Sequence, residues 1–180
     1  KTLEPPKQTC DAPHPHKVTS GFPKEGIDVE ELVKKMVDYV ENSEVTNGAN
    51  QYMTLHSMGG QVMAKESNDT AFFYRNKPFM LQVQSWWTNS GDGNYDYQNN
   101  QQLIKWVENY REHISDFIEG AFINFVDKDL VKDISTLEGR KEILSYYYGD
   151  NLDRLIKVKS KYDMNNLFNF ELSIPVIQNN

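Results

Sequence analysis

A chain of 180 residues that is 38% hydrophobic, with nine Phe, ten Tyr and three Trp, has the length and apolar payload for one packed domain, which excludes a disordered chain. The formal net charge of −7, with 19 Lys and Arg dispersed among 26 Asp and Glu, leaves no basic stripe to neutralise phosphates, so nucleic acid is excluded as a partner. No run approaches the roughly 18 apolar residues that cross a bilayer, and no membrane span is expected.

The opening segment, residues 1–16, carries Pro5, Pro6, Pro13 and Pro15, which fix φ and remove backbone donors, so it reads as an extended linker with regular structure beginning near Lys17. Lys1 is neither an initiator Met nor the start of a secretory pattern, as expected of a chain that begins inside a longer protein. Cys10 is the one cysteine, so no intrachain disulfide can form and packing alone must hold the fold. Asp28 stands at an N-cap position with Glu31 three residues on, and Val29, Leu32, Val33, Met36, Val37 and Val40 then form one apolar stripe at helical spacing. Asn47-Gly48 ends that region. Gln51 to Met58 alternates as a strand, with Met53 and Leu55 on one face and Tyr52, Thr54 and His56 on the other. Gly59-Gly60 permits a turn, and a second short strand is expected over Gln61 to Ala64.

The aromatic and Gln-rich run Phe79 to Trp87 reads as a long central strand, and Asn89 to Asn100 as a loop. Leu103, Trp106, Val107, Tyr110, Ile114 and Phe117 mark a second amphipathic helix, which Gly120 stops. Ala121 to Val126 fits a short buried strand, and a third helix is expected over Leu144 to Ser160, with Leu152, Leu155 and Ile156 inward. Helices and strands mix without regular βαβ alternation, which favours an α+β fold with an antiparallel sheet.

The segment Tyr147 to Pro175 reads YYGDNLDRLIKVKSKYDMNNLFNFELSIP. In Tyr148, Gly149, Asn151, Arg154, Leu155, Val158, Lys159, Lys161, Tyr162, Asp163, Asn166, Phe168, Ser173, Ile174 and Pro175 it resembles the C-terminal signature of the berberine bridge enzyme-like, FAD-linked oxidases. Met164 replaces the usual Pro, and Leu172 the usual Gln. Met58-Gly59-Gly60, Tyr74-Arg75 and Ala121 to Phe125 followed by Asp127 occur in the order this family requires, so the resemblance spans Lys17 to Pro175.

The resemblance implies an α+β substrate domain whose antiparallel β-sheet is covered on one face by helices. Residues 17–145 would be the substrate-binding domain, and 146–180 a C-terminal segment that packs on the flavin domain, with Arg154, Lys159 and Tyr162 serving that packing. It implies FAD as cofactor, held mainly by an N-terminal flavin-binding domain or chain that is missing here. The Gly-rich loops that carry the flavin-linking His and Cys in the family do not occur, and Cys10 has no glycine around it. The implied reaction is oxidation of a small-molecule substrate, a carbohydrate or another alcohol, with oxygen as acceptor. The alternative is a non-catalytic binding or structural protein that keeps the oxidase fold.

Alternation puts Met80, Gln82, Gln84 and Trp86 on one face of their strand and Phe79, Leu81, Val83 and Ser85 on the core face. A polar face flanked by aromatics suits a ligand floor, and the family places substrate contacts on the matching strand. Gln82, Gln84, Trp86 and Phe122 are therefore the candidate substrate-binding residues, and Asn124, expected to share a face with Phe122, the candidate for cofactor contact. Many family members have Tyr at the Phe122 position as a candidate proton acceptor. Phenylalanine cannot do that work and Gln84 cannot ionise to assist a phenol, so the base falls to His56, to Tyr52 or to the missing half. Trp86, Trp87, Tyr95 and Tyr97 could stack on sugar rings, with at least one of the Trp pair in the core. His14 and His16 flank Pro15 without a carboxylate or cysteine cluster, so no metal site is expected. Asn68-Asp69-Thr70 is a glycosylation acceptor pattern, which inclines the expected location to the secreted or extracytoplasmic side.

Overall fold

The computed structural model describes residues 15–44, 49–87 and 97–177. Cys10, His14, Asn47-Gly48 and Tyr95 lie outside the described residues, and Tyr97 is described only as the first residue of a helix. Strands β1 (His16–Pro23), β2 (Ala49–Ser57), β3 (Phe79–Trp87) and β4 (Ile118–Glu119) form one antiparallel sheet in the order β2-β3-β1-β4. Helix α1 (Val29–Asn42) follows β1, α2 (Tyr97–His113) follows β3, and α3 (Leu137–Tyr148) and α4 (Leu152–Tyr162) complete the chain.

Alternation along β3 decides which face the helices cover. Leu81 and Val83 join Leu32 and Met36 of α1 and Trp106, Val107, Tyr110 and Ile114 around α2 in the main core, with Met53 of β2 packed against it. The helices thus cover one face, and the fold is α+β as expected. A second cluster joins Ala121, Ile143, Leu144, Tyr147, Leu152, Ile156 and Leu172, knitting α3 and α4 to the tail. A third, around Phe22, Tyr74 and Met80, sits at one end of the opposite sheet face. Residue 146, where the C-terminal segment was expected to begin, lies within α3, and its carbonyl accepts from Ala121 N at 2.7 Å and Tyr74 OH at 2.8 Å.

Helix α1 begins where the cap predicts, because the Asp28 carboxylate accepts from the amides of Glu30 and Glu31. Only Leu32 and Met36 of its apolar stripe are buried; Val29, Val33, Val37 and Val40 stand 43 to 50% exposed. Four local expectations are corrected. Residues 61–64 form turns instead of a strand, with Val62 N bonded to Gly59 O and Ala64 N to Gly60 O. Ala121 to Val126 is no strand either, since its amides find other acceptors: Ala121 N takes Tyr146 O, Phe122 N takes Ser20 Oγ and Phe125 N takes Phe122 O. The expected helix over 144–160 is two helices broken at Gly149, whose φ of 49° and ψ of −136° no residue with a side chain adopts readily. Finally, α2 ends at His113, with Ile114 to Phe117 in turns, and begins at Tyr97 inside the expected loop.

The strand that the sequence reading did not resolve, β1, is central, and its start is locked electrostatically. Lys17 Nζ lies 2.5 Å from both Asp127 Oδ1 and Asp129 Oδ2, with the Lys17 and Asp127 side chains only 11% and 4% exposed. Burial works against the ammonium charge, but the two carboxylates outweigh it and hold the Lys17 pKa above its ordinary value. A raised pKa stabilises the fold at every pH below the unfolded value, and that contribution is lost only as strong alkali passes the folded one. Lys17→Met, which leaves Asp127 buried without its partner, is expected to cost about 3 kcal/mol in chemical denaturation at neutral pH; a loss within experimental error would show that the network contributes nothing.

Candidate functional site

The sheet face away from the helices is built by three strands in register. Ser20, Gln82 and Thr54 form one cross-sheet row, Val18, Gln84 and Tyr52 the next, and His16, Trp86 and Asn50 a third, with His56 opposite Met80. Alternation places the candidate residues as expected: Gln82, Gln84, Trp86, Tyr52 and His56 share this face. Ser20, Thr54 and His16 join them through β1 and the edge strand, and the signal for them was the alternation of a strand the sequence reading left as a boundary.

His56 Nε2 lies 2.7 Å from Gln82 Oε1. Because an amide oxygen only accepts, the ring nitrogen facing it carries the proton in this arrangement, which leaves Nδ1 with the lone pair in the neutral imidazole. Gln84 Oε1 accepts from Trp86 Nε1 at 2.7 Å. Both glutamines are buried, at 7 and 6% exposure, so these are specified polar contacts instead of solvated side chains. Trp86 stacks on His16 with centroids 4.3 Å apart and planes 15° apart, while Trp87 enters the core. Tyr52 is 44% exposed.

Phe122 and Asn124 are placed differently from the expectation. Neither is on a strand, so they share no sheet face. Phe122 stands edge-on to Phe72 and Phe125 in an aromatic wall, and Phe125 lies 6.0 Å from the His56 ring. Ser20 Oγ, accepting from Phe122 N at 2.8 Å, ties that wall to the sheet. Asn124 is exposed in the same turn, outside the row of polar strand residues.

The chemistry available on this face follows from what its strands carry. β1, β2 and β3 present no carboxylate there, so among their side chains a proton acceptor near neutral pH must be an imidazole or an activated phenol. The nearby buried phenols are spoken for. Burial raises Tyr74 and pushes Tyr147 up to about 12, and each donates to a backbone carbonyl, of Tyr146 and Asp127 respectively. A groove of about 830 Å³ lies elsewhere, lined by residues including Glu108, Arg111, Glu112, Glu119, Asp127 and Lys132. Its central charges are already engaged, Arg111 with the carbonyls of Ser20 and Gly120, and Asp127 with Lys17, so it reads as structural. Among the described residues no His, Cys, Asp and Glu cluster is arranged to hold a metal, and no helix is long and apolar enough to cross a membrane.

FAD would need two things, polar contacts along its ring and a cradle for its pyrophosphate. The sheet face supplies amide, hydroxyl and imidazole groups of the first kind. The adjacent glycines Gly59-Gly60 do not supply the second, because the amides of Val62 and Ala64 in that turn already donate to backbone carbonyls. The fit is to the reacting end of a flavin and its substrate, with the phosphates held elsewhere.

The Tyr147 to Pro175 segment forms a separate feature. The Asp163 carboxylate accepts from Lys159 Nζ and from the amides of Leu167 and Phe168, and Lys159 also donates to the Phe168 carbonyl. That clamp holds a loop whose apolar side chains face outward: Tyr162, Met164, Leu167, Phe168 and Phe170 are 61 to 81% exposed. Arg154 donates to Asn68 O at 2.9 Å, and Asn151 to Ser67 O and Thr70 O. The hydrogen bond from Lys159, followed by those from the two amides, holds the Asp163 carboxyl below its ordinary pKa. The clamp's contribution is therefore present above the unfolded carboxyl pKa and lost as pH falls through the folded one. Asp163→Asn is expected to speed exchange of the Leu167 and Phe168 amides at neutral pH to the rate the parent chain reaches only in acid; equal exchange in both at pH 7 would remove the carboxylate from this role.

The family model for berberine and berberine-like proteins matches residues 121–175. An uncharacterized FAD-linked oxidoreductase of Bacillus subtilis is 30% identical over 122 residues, covering 68% of this chain and 23% of that protein. Berberine bridge enzyme-like 19 of Arabidopsis thaliana is 30% identical over 166 residues, covering 90% of this chain and 27% of that protein. The structure of berberine bridge enzyme from Eschscholzia californica superposes with a TM-score of 0.75 at 22% identity, over 92% of this chain and 34% of that one. A carbohydrate oxidase from Microdochium nivale gives a TM-score of 0.70 at 21% identity, over 92% and 33%. These two superpositions show the fold alone. The chain spans about a quarter of the length of the curated relatives it matches.

Proposed function

Because this chain belongs to the berberine bridge enzyme-like family of FAD-linked oxidoreductases, we propose that it is the substrate-binding part of a longer FAD-dependent oxidase that acts on a carbohydrate or another alcohol with oxygen as acceptor. The observation that carries this reading is the polar, carboxylate-free sheet face on which Gln82 holds His56. Bound FAD would accept the hydride that leaves the substrate carbon.

The residues of this chain would supply the rest. His56 Nδ1, with the tautomer set by Gln82, would take the hydroxyl proton. Gln84 and Thr54 would hydrogen-bond the substrate's remaining hydroxyls, and Trp86, with one ring face on His16, would offer the other to a sugar ring. Phe122 and Phe125 would wall that end of the site against water, and Asn124, at the exposed turn, would reach the flavin. Tyr52 is the other candidate base. The exposed apolar residues at 162–170 would dock on the flavin-binding domain, in keeping with the aromatic enrichment of such surfaces. The exposed Asn68 within the acceptor pattern favours a secreted or extracytoplasmic protein.

The test joins this chain to its flavin-binding part and records the visible spectrum, then mixes the protein anaerobically with oligosaccharides and simple alcohols. Flavin absorbance that bleaches with one of these classes is expected, and absence of flavin would sink the proposal. Flavin that no alcohol reduces would favour the second reading, a non-catalytic binding protein, for which the phenylalanine at 122 in place of a phenol is the supporting observation.

A further inference from the structure

We propose that the sheet continues past β2: a further strand pairs along the free edge of β2, and a helix attached to that strand packs on the outer flank of α1. Both would come from the remainder of a longer polypeptide, so the inference rests on the reading of this chain as part of such a protein, the relatives being about four times its matched length.

Three independent observations converge on that edge. Among the described residues β2 is nine residues long and pairs only with β3, whereas the strand at the other edge, β4, has two residues. Exposed edges are normally blunted by Lys, Pro, charges or bulges, and β2, reading ANQYMTLHS, has none of the first three and keeps an unbroken register over all nine residues. On the helix-covered face, Leu55 pairs with the fully buried Leu81 yet is 51% exposed, so the helix layer stops short of the edge strand.

The third observation is the orientation of α1. At 100° per residue, Leu32 and Met36 define the buried line, with Tyr39 and Lys35 to one side. That side meets α2, where Tyr39 OH donates to Trp106 O and Lys35 lies over the Phe117 ring just beyond the helix. Val29, Val33, Val37 and Val40 lie on the opposite side, away from α2, while Glu30, Lys34, Asp38 and Glu41 occupy the back. Tyr110 OH reaches Met36 O and Met53 Sδ, which sets α1 on the β2 side of α2. Four half-exposed valines, a half-exposed leucine and an unblunted strand edge thus border one missing strand-and-helix layer. The occupant expected is a strand with an apolar residue over Leu55 and a helix with an aliphatic stripe against the valines.

Amide hydrogen exchange on β2, measured for this 180-residue chain and for the longer polypeptide, tests this. The β2 amides that face away from β3 are expected to exchange at least about 100-fold more slowly in the longer protein. Val33→Lys with Val37→Lys is expected to leave the helix content of this chain unchanged and to abolish the extra protection in the longer one. Equal exchange in both, or a reading frame holding nothing beyond this chain, overturns the proposal. So does a dimer of this chain that the double substitution dissociates, which would make a second copy the occupant. Flavin absorbance on the same samples keeps the two readings apart: β2 protection without flavin fails the oxidase, and flavin without protection fails the added strand.

Discussion

Gly120→Ala is expected to lower stability by about 4 kcal/mol or more, placing it among the exceptional single substitutions, and to reduce the thermal midpoint by about 8 to 16 °C for a domain of this size. Gly120 adopts φ of 61°, and a Cβ built there would lie 2.1 Å from Tyr74 Cζ and 2.2 Å from its hydroxyl oxygen. The backbone conformation alone costs about 1 to 2 kcal/mol for a residue with a side chain. The larger loss comes from moving Tyr74, a buried ring that stacks on Phe22 at 4.3 Å and donates to the Tyr146 carbonyl. That bond joins the sheet end to α3, so displacing Tyr74 loosens two of the three apolar clusters together. Gly26→Ala is the control: φ there is 74° but nothing lies within 4 Å of the added methyl, so only the conformational cost of about 1 to 2 kcal/mol should appear. In a cycle with Tyr74→Ala the two changes should be strongly non-additive, because removing the ring makes room for the methyl. Equal losses for Gly120→Ala and Gly26→Ala would show that the close approach carries no energy.

The same glycine explains how far the fold could be read from sequence. Long elements with one period and one cap were legible: α1 starts at its Asp28 cap, and β3 runs from Phe79 to Trp87 as its composition implies. β1 was not, because Pro, Gly and polar residues on both faces, Lys17 and Thr19 on one and His16 and Ser20 on the other, mask alternation in a strand buried by its neighbours. Ala121 to Val126 has the pattern of a strand but not the partners: Gly120 turns the chain off β1, and a helix terminus and a serine hydroxyl take the amides a ladder would have used. The α3 and α4 pattern runs on through Gly149 since periodicity cannot register one residue of positive φ. The site was legible to the extent that it depends on alternation. Gln82, Gln84, Tyr52 and His56 came together because three strands align, whereas the placement of Phe122 and Asn124 depended on tertiary hydrogen bonds that no local pattern encodes.

In the flavin-bearing protein, His56→Ala is expected to slow anaerobic flavin reduction by about 100- to 10,000-fold, the usual worth of a positioned general base, with a smaller change in substrate affinity. Loss of rate alone would not separate a base from a packing residue, so the test turns on Gln82. Gln82→Glu puts a carboxylate where the amide oxygen now meets His56 Nε2 at 2.7 Å. A neighbouring negative charge favours the imidazolium, so the ring becomes able to accept the substrate proton only at higher pH. The acid limb of the kcat/KM profile should move upward by about 1 to 2 pH units, while Gln82→Leu, with no charge, should lower the rate without moving the limb in that direction. A structural histidine would give slow turnover in all three variants with the limb in its original place. Tyr52→Phe closes the argument. Tyr52 pairs with Gln84, one row from the His56 contact, and its partly exposed hydroxyl is the other group on this face able to take a proton. If His56→Ala keeps its rate and Tyr52→Phe loses it, the base is the phenol and the imidazole is a support for Gln82; the reverse pattern, together with the shifted limb, assigns the proton to His56.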